Sequence, residues 1–138
     1  MLDLDIFYKL EEAEKRQVNV KMAYIDMTND IISGMLLSQI IYWNLPSKQG
    51  SSKLKVTYKG RKGIAKARTD WHDEIRISPK QYDRAIKILK ELKIVDVKNT
   101  MFSGKRTPII MLNDDIFIKM YEEIITKSSV LPKGEYRY

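Results

Sequence analysis

The chain has 138 residues, 43% hydrophobic and 31% charged, with a net charge of +7 and no cysteine. That is enough length to bury one core, and the missing cysteines exclude disulfides, thiolate metal sites and a thiol nucleophile. The longest apolar run, Ile31–Trp43, is broken by Ser33, Gly34, Ser38 and Gln39 and falls short of the roughly 18–20 residues that span a bilayer.

The charge is segregated. Between Ile31 and Thr69 there is no Asp or Glu, whereas Lys48, Lys53, Lys55, Lys59, Arg61, Lys62, Lys66 and Arg68 all fall there. Such a distribution points to an anionic partner. The N-terminus, MLDLDIFYKLEE, is acidic and amphipathic. It lacks the basic start and small-residue cleavage site of a secretory leader, so the expected compartment is the cytoplasm, with no membrane association.

Taken in chain order, Leu2, Ile6, Phe7, Leu10 and Ala13 predict a short amphipathic helix. Val18 and Val20 alternate, and Gln17–Met27 reads as a short strand. Thr28 or Asn29 is the expected N-cap of the next helix, with Asp30 in its first turn and Ile32, Met35, Leu36, Gln39, Ile40 and Trp43 on its inner stripe. Pro46 and Gly50 mark a loop. The basic stretch Lys53–Thr69 reads as a loop or hairpin with short strands near Leu54–Tyr58 and Ile64–Ala67. Thr69 is the expected N-cap of a short helix ending at Ile75, and Arg76-Ile77 makes a turn.

The strongest local signal is ISPKQYDRAIKILKELKIVDV, Ile77–Val97. Ser78, Pro79 and Gln81 form a capping box with proline at the first helical position. Tyr82, Ala85, Ile86, Leu89 and Leu92 supply the buried stripe. Ile94–Leu112 then reads as a β-hairpin with a basic tip and a Ser-Gly turn, followed by a helix over Asp114–Thr126 capped by Asn113. Residues 1–126 are expected to form a single domain and 127–138 a flexible tail.

Helix, basic segment, short helix, tight turn, capped helix and hairpin is the order of a winged helix-turn-helix. The expected fold class is therefore α+β, a winged helix-turn-helix with additional N- and C-terminal helices. In that arrangement Ser78–Lys93 is the recognition helix. Lys80, Arg84 and Lys87 form its outward ridge. Gln81 lies near the N-terminus, where base edges are usually read. Lys98, Lys105 and Arg106 add charge on the wing. Lys53, Lys55, Lys59, Arg61, Lys62, Lys66 and Arg68 are candidates for phosphate neutralisation, and Tyr58 for stacking on bases.

Catalytic readings find little support. His72 stands alone, and GRKG (60–63) and SGKRT (103–107) do not fit the phosphate-loop pattern. The acids of DWHDE (70–74) are explained by a helix start. Trp43 and Trp71 read as core residues. No metal, no cofactor and no enzymatic activity are expected.

MLLSQIIYW (35–43) and DWHDEIRISPKQYDRAIKILKELKIVDVKN (70–99) resemble the winged-helix domain of replication-associated proteins in phages and mobile elements of Gram-positive bacteria. That group includes relatives of DnaD-type primosomal proteins and plasmid initiators. The resemblance runs in order over roughly Asp26–Asn113. It implies DNA binding through Lys80, Gln81, Arg84, Lys105 and Arg106, and a role as an accessory factor in replication alongside other replication proteins. Larger members continue into a second domain, so a stand-alone accessory is expected here. Single-stranded and duplex DNA are both open as targets, and the amphipathic terminal helices could pair two chains into a homodimer. The competing expectations are an operator-binding transcriptional regulator and a phage-type inhibitor that binds a host protein.

Overall fold

The computed structural model describes residues 2–102 and 104–127. Among these residues six helices and four strands follow one another: α1 (Leu4–Ala13), α2 (Met22–Thr28), α3 (Ile31–Asn44), β1 (Val56–Tyr58), β2 (Arg61–Ala65), α4 (Trp71–Ile75), α5 (Pro79–Glu91), β3 (Val95–Phe102), β4 (Lys105–Leu112) and α6 (Asp114–Lys127). The fold is α+β, with one antiparallel sheet in the order β1-β2-β4-β3. Among the described residues no helix is long and apolar enough to cross a membrane. The expected tail beyond Lys127 and the serine of the Ser-Gly turn lie outside the described residues.

The core is built where helical stripes meet. Leu36, Leu37 and Ile40 of α3 pack with Trp71 and Ile75 of α4, with Tyr82, Ala85 and Leu89 of α5, with Ile94 just before β3, and with Ile64 and Ile110 of the sheet. At ~25 cal/mol per Å² of apolar surface removed from water, each such buried aliphatic side chain contributes about 1.5–3 kcal/mol. Gly34 lets α2 approach α3: a Cβ there would lie 2.9 Å from the Ile25 side chain and 3.0 Å from its backbone.

The α5 boundaries follow from side-chain chemistry. Ser78 Oγ accepts from the Gln81 backbone N–H at 3.1 Å, and Gln81 Oε1 accepts from the Ser78 N–H at 2.8 Å. This is the capping box expected from the sequence. At the other end Lys93 takes φ 64. The Ile94 N–H bonds the Leu89 carbonyl and the Lys93 N–H that of Lys90, both at 3.0 Å. These bonds form the left-handed helix stop, here on a lysine where glycine is usual. The chain thereby turns straight into β3.

Several local expectations are overturned. Gln17–Met27 is no strand. Residues 14–21 carry no regular structure and Met22–Thr28 is helical. Tyr24, Met27 and Thr28 recur at helical spacing and are buried, and Tyr24 meets the rings of Phe117 and Tyr121 on α6 at 6.0 and 6.2 Å. The cap of α3 is Asp30 rather than Thr28 or Asn29. Its carboxylate accepts from the Ser33 N–H at 2.9 Å and from the Ser33 hydroxyl at 2.7 Å. Asp70 rather than Thr69 precedes α4, with its carboxylate turned back to the Ala67 N–H. β4 begins at Lys105, before the expected Pro108. The Asn113 side chain bonds the Lys93 carbonyl and the Arg61 guanidinium. Among the described residues α1 has the expected helix but buries nothing.

Candidate nucleic-acid interface

α5 presents two adjoining surfaces. Lys80, Arg84 and Lys87 are exposed on the side opposite the buried Tyr82, Ala85, Ile86 and Leu89. One flank of that ridge faces the β3–β4 hairpin across a cleft of about 350 Å³. Tyr82, Ile86, Val97 and Pro108 give the cleft an apolar floor. Arg68, Lys90 and Arg106, with Asn99, supply its polar rim, and no acid is among its described lining residues, although Arg68 itself is bonded to Asp83 beside it. Lys87 and Lys90 are three apart and join ridge to rim.

The hairpin's pleat decides which of its cations face this cleft. Residues paired across an antiparallel ladder share a face, and alternate pairs face opposite ways. Val97 pairs with Ile110, Asn99 with Pro108 and Met101 with Arg106. These pairs share the face toward α5. Lys98 pairs with Ile109, and Lys105 lies one position from Arg106, so both lysines occupy the reverse face. Of the three expected cations on this hairpin, only Arg106 looks into the cleft.

The basic segment divides as well. β1 and β2 are joined by a two-residue turn, Lys59 and Gly60, at φ 48 and 82. Positive φ at both central positions is the hairpin turn whose twist matches its strands. Arg61 follows, with Nη1 bonded to the Asp96 carboxylate at 2.9 Å and Nη2 to Asn113 Oδ1 at 2.8 Å. This places Lys59, Arg61 and Lys62 at the root of the β3–β4 hairpin, far from its tip. Lys53, Lys55 and Tyr58 lie on or before the edge strand β1, and Lys59 sits over the Tyr58 ring at 5.5 Å. Only Arg68, just beyond β2, reaches the cleft.

Four of the candidate cations are tied within the molecule. Arg84 grips Asp30 with both terminal nitrogens, at 2.6 and 3.0 Å. That contact, ahead of the bonds from Ser33, holds the Asp30 carboxyl down to about 2. Arg68 grips Asp83 in the same forked manner, at 2.6 and 3.0 Å, and lowers its pKa. Arg61 does likewise to Asp96. Lys66 is the most enclosed. It pairs with Glu74 and lies 5.1 Å from the Trp43 ring centre and 5.7 Å from that of Trp71. Glu74 also accepts from Trp43 Nε1 and Gln39 Nε2, each at 2.8 Å. Burial pushes the Glu74 carboxyl up, but the hydrogen bonds from Lys66, Trp43 and Gln39 together hold it below its ordinary range. This clasp joins α3, α4 and the end of β2, which gives Lys66 a structural task.

Lys80, Lys87, Lys90 and Arg106 carry no ion pair among the described residues. Gln81 is exposed, yet its Oε1 is committed to the capping box, so with the box closed its amide offers mainly the NH₂ donor. Sequence reasoning missed Lys90 and Asn99. The spacing of Lys90 from Lys87 was available as a signal. For Asn99 the signal is register alone. His72 is exposed on α4, and no group of metal-binding side chains occurs among the described residues.

No family model, curated protein or solved structure matches this chain.

Proposed function

We propose that the chain is a non-catalytic DNA-binding protein of the winged-helix kind. In this reading α4 and α5 are the helix-turn-helix pair, α5 lies against DNA, and the β3–β4 hairpin is the wing. The single observation that carries it is the acid-free cleft between α5 and the hairpin, rimmed by Arg68, Lys90 and Arg106 and continuous with the Lys80–Lys87 ridge. Unpaired lysines neutralise phosphates, and Lys80 stands in the first turn of α5, where the helix dipole also favours an anion. Arg68 and Arg84, already neutralised by Asp83 and Asp30, act as struts that fix the ends of the surface.

Duplex DNA fits this surface better than single strands. Tyr58 and Tyr42, the aromatic groups available for stacking, stand on β1 and α3, away from the cleft. By the resemblance described above, the protein's place is that of an accessory factor in replication of a phage or mobile element.

Fluorescence anisotropy of a labelled 30-mer, duplex against single strand of the same sequence, tests the proposal. With about 6 phosphate contacts, affinity falls ~10³-fold over a fourfold rise in salt. The variant K80A/K87A/K90A/R106A is expected to lose most binding and to flatten that slope. No binding at low salt to either form would overturn the DNA reading in favour of a protein partner.

A further inference from the structure

Nothing among the described residues covers α1. Its ten residues are all exposed, with Ile6 at 44%, Phe7 at 42% and Leu10 at 55% on one face. An isolated helix of this length is marginal in water, because nucleation costs more than so few hydrogen bonds return. Its Asp3 carboxylate accepts from the Ile6 N–H at 2.9 Å, one capping bond that does not offset that cost. A partner surface is therefore called for.

The same chain carries a complementary surface. A groove of about 330 Å³ runs between residues 17–21 and α3. Val18, Ile41, Tyr42 and Leu45 line it, and Tyr42 and Leu45 are 50% and 54% exposed. Lys21 stands at its edge, and Lys53 sits 3.6 Å above the Tyr42 ring centre. Glu74, also at the groove, is already neutralised by Lys66. Charge selects the occupant. Residues 1–14 hold five carboxylates and one lysine, a net of −4, which leaves +11 on the remainder of the chain. Two α1 helices would repel one another, whereas α1 and the basic body attract.

We propose that α1 of one copy docks in the α3 groove of a second copy, and that the exchange is reciprocal. Ile6, Phe7 and Leu10 cover Tyr42 and Leu45, while Glu11 approaches Lys21 and Lys53. The link is pinned to α3 where the Ser38 hydroxyl donates to the Asn19 carbonyl at 3.0 Å, which leaves the five residues from Glu14 to Val18 to extend roughly 16 Å at ~3.3 Å each. Reciprocity matters energetically. One short helix in one groove is small beside the ~800 Å² per partner of a stable interface, and a two-fold exchange applies the contact twice.

The absence of cysteine makes the test clean. Chains carrying Leu10→Cys and chains carrying Leu45→Cys are mixed and oxidised, and each is also oxidised alone. A disulfide-linked dimer in the mixture, well in excess of either alone, is the expected result. Light scattering should give twice the chain mass for the unmodified protein and one chain mass for Phe7→Glu/Leu10→Glu. Because no α1 residue belongs to the core among the described residues, the doubly substituted chain should keep the thermal unfolding of the body, which separates lost pairing from lost folding. Strong Leu10→Cys self-linkage would mean that α1 pairs with α1 and would overturn the proposal. So would an unmodified protein of one chain mass, or a Leu10→Cys/Leu45→Cys double variant that closes only within one chain.

Discussion

α1 and α5 have nearly the same apolar rhythm and opposite fates. In α5, Tyr82, Ala85, Ile86 and Leu89 are buried, and the helix is held by a box at one end and a left-handed stop at the other. In α1, Ile6, Phe7 and Leu10 form an equivalent stripe, and nothing covers it among the described residues. Periodicity identifies a face that avoids water, but it does not say which surface will cover it. For α5 the cover is the core of its own chain; for α1 it is sought elsewhere.

The widest test of this contrast is a pair of truncations. Leu89→Ala is expected to cost about 2–5 kcal/mol in a urea melt, because it leaves a cavity in a close-packed core. Leu10→Ala, measured at low protein concentration, is expected to stay within about 0.5 kcal/mol of the parent. A large loss from Leu10→Ala in dilute solution would mean that α1 packs on its own body. A smaller effect is expected at the α5 cap. Ser78→Ala removes the acceptor for the Gln81 N–H and should cost about 1 kcal/mol, while Asp3→Ala at the equivalent place in α1 should leave the urea midpoint unchanged.

A further effect concerns acid. Asp30 has a folded pKa of about 2, below the ordinary aspartate value near 4. Its contribution to stability is thus complete above about pH 4 and disappears as the pH falls toward 2. Urea midpoints measured between pH 5 and 2 should fall less steeply for Asp30→Asn than for the parent. Equal slopes would show that the Arg84 contact does not anchor α5 to α3.

Legibility in the sequence followed the range of the interaction. The box at Ser78 and Gln81, the stripe of α5, the β3–β4 hairpin and the helix after it rest on residues a few positions apart, and each is expected from the sequence. α2 was not. The alternation of Val18 and Val20 suggested a strand, but a strand needs a neighbour to hydrogen-bond, and the burial of Tyr24 against α6 supplied a reason for helix instead. Least legible were the ion pairs. Arg84 meets Asp30 across 54 positions and Arg61 meets Asp96 across 35, so no spacing rule could assign them. The hairpin's cations could be counted in advance, but the faces of Lys98, Lys105 and Arg106 follow only from register.

The Lys66 clasp has a spectroscopic consequence. The chain has two tryptophans, and both face one ammonium group: Trp43 partly exposed, with its indole N–H on Glu74, and Trp71 fully enclosed. Intrinsic emission therefore reports a single junction, where α3, α4 and the end of β2 meet. Neither indole lines the cleft beside α5, but Trp71 stacks on Tyr82 of its floor, ring centres 6.1 Å apart. A ligand in the cleft is therefore one ring away from the enclosed indole, and a change in emission on titration would be a label-free gauge of occupancy there.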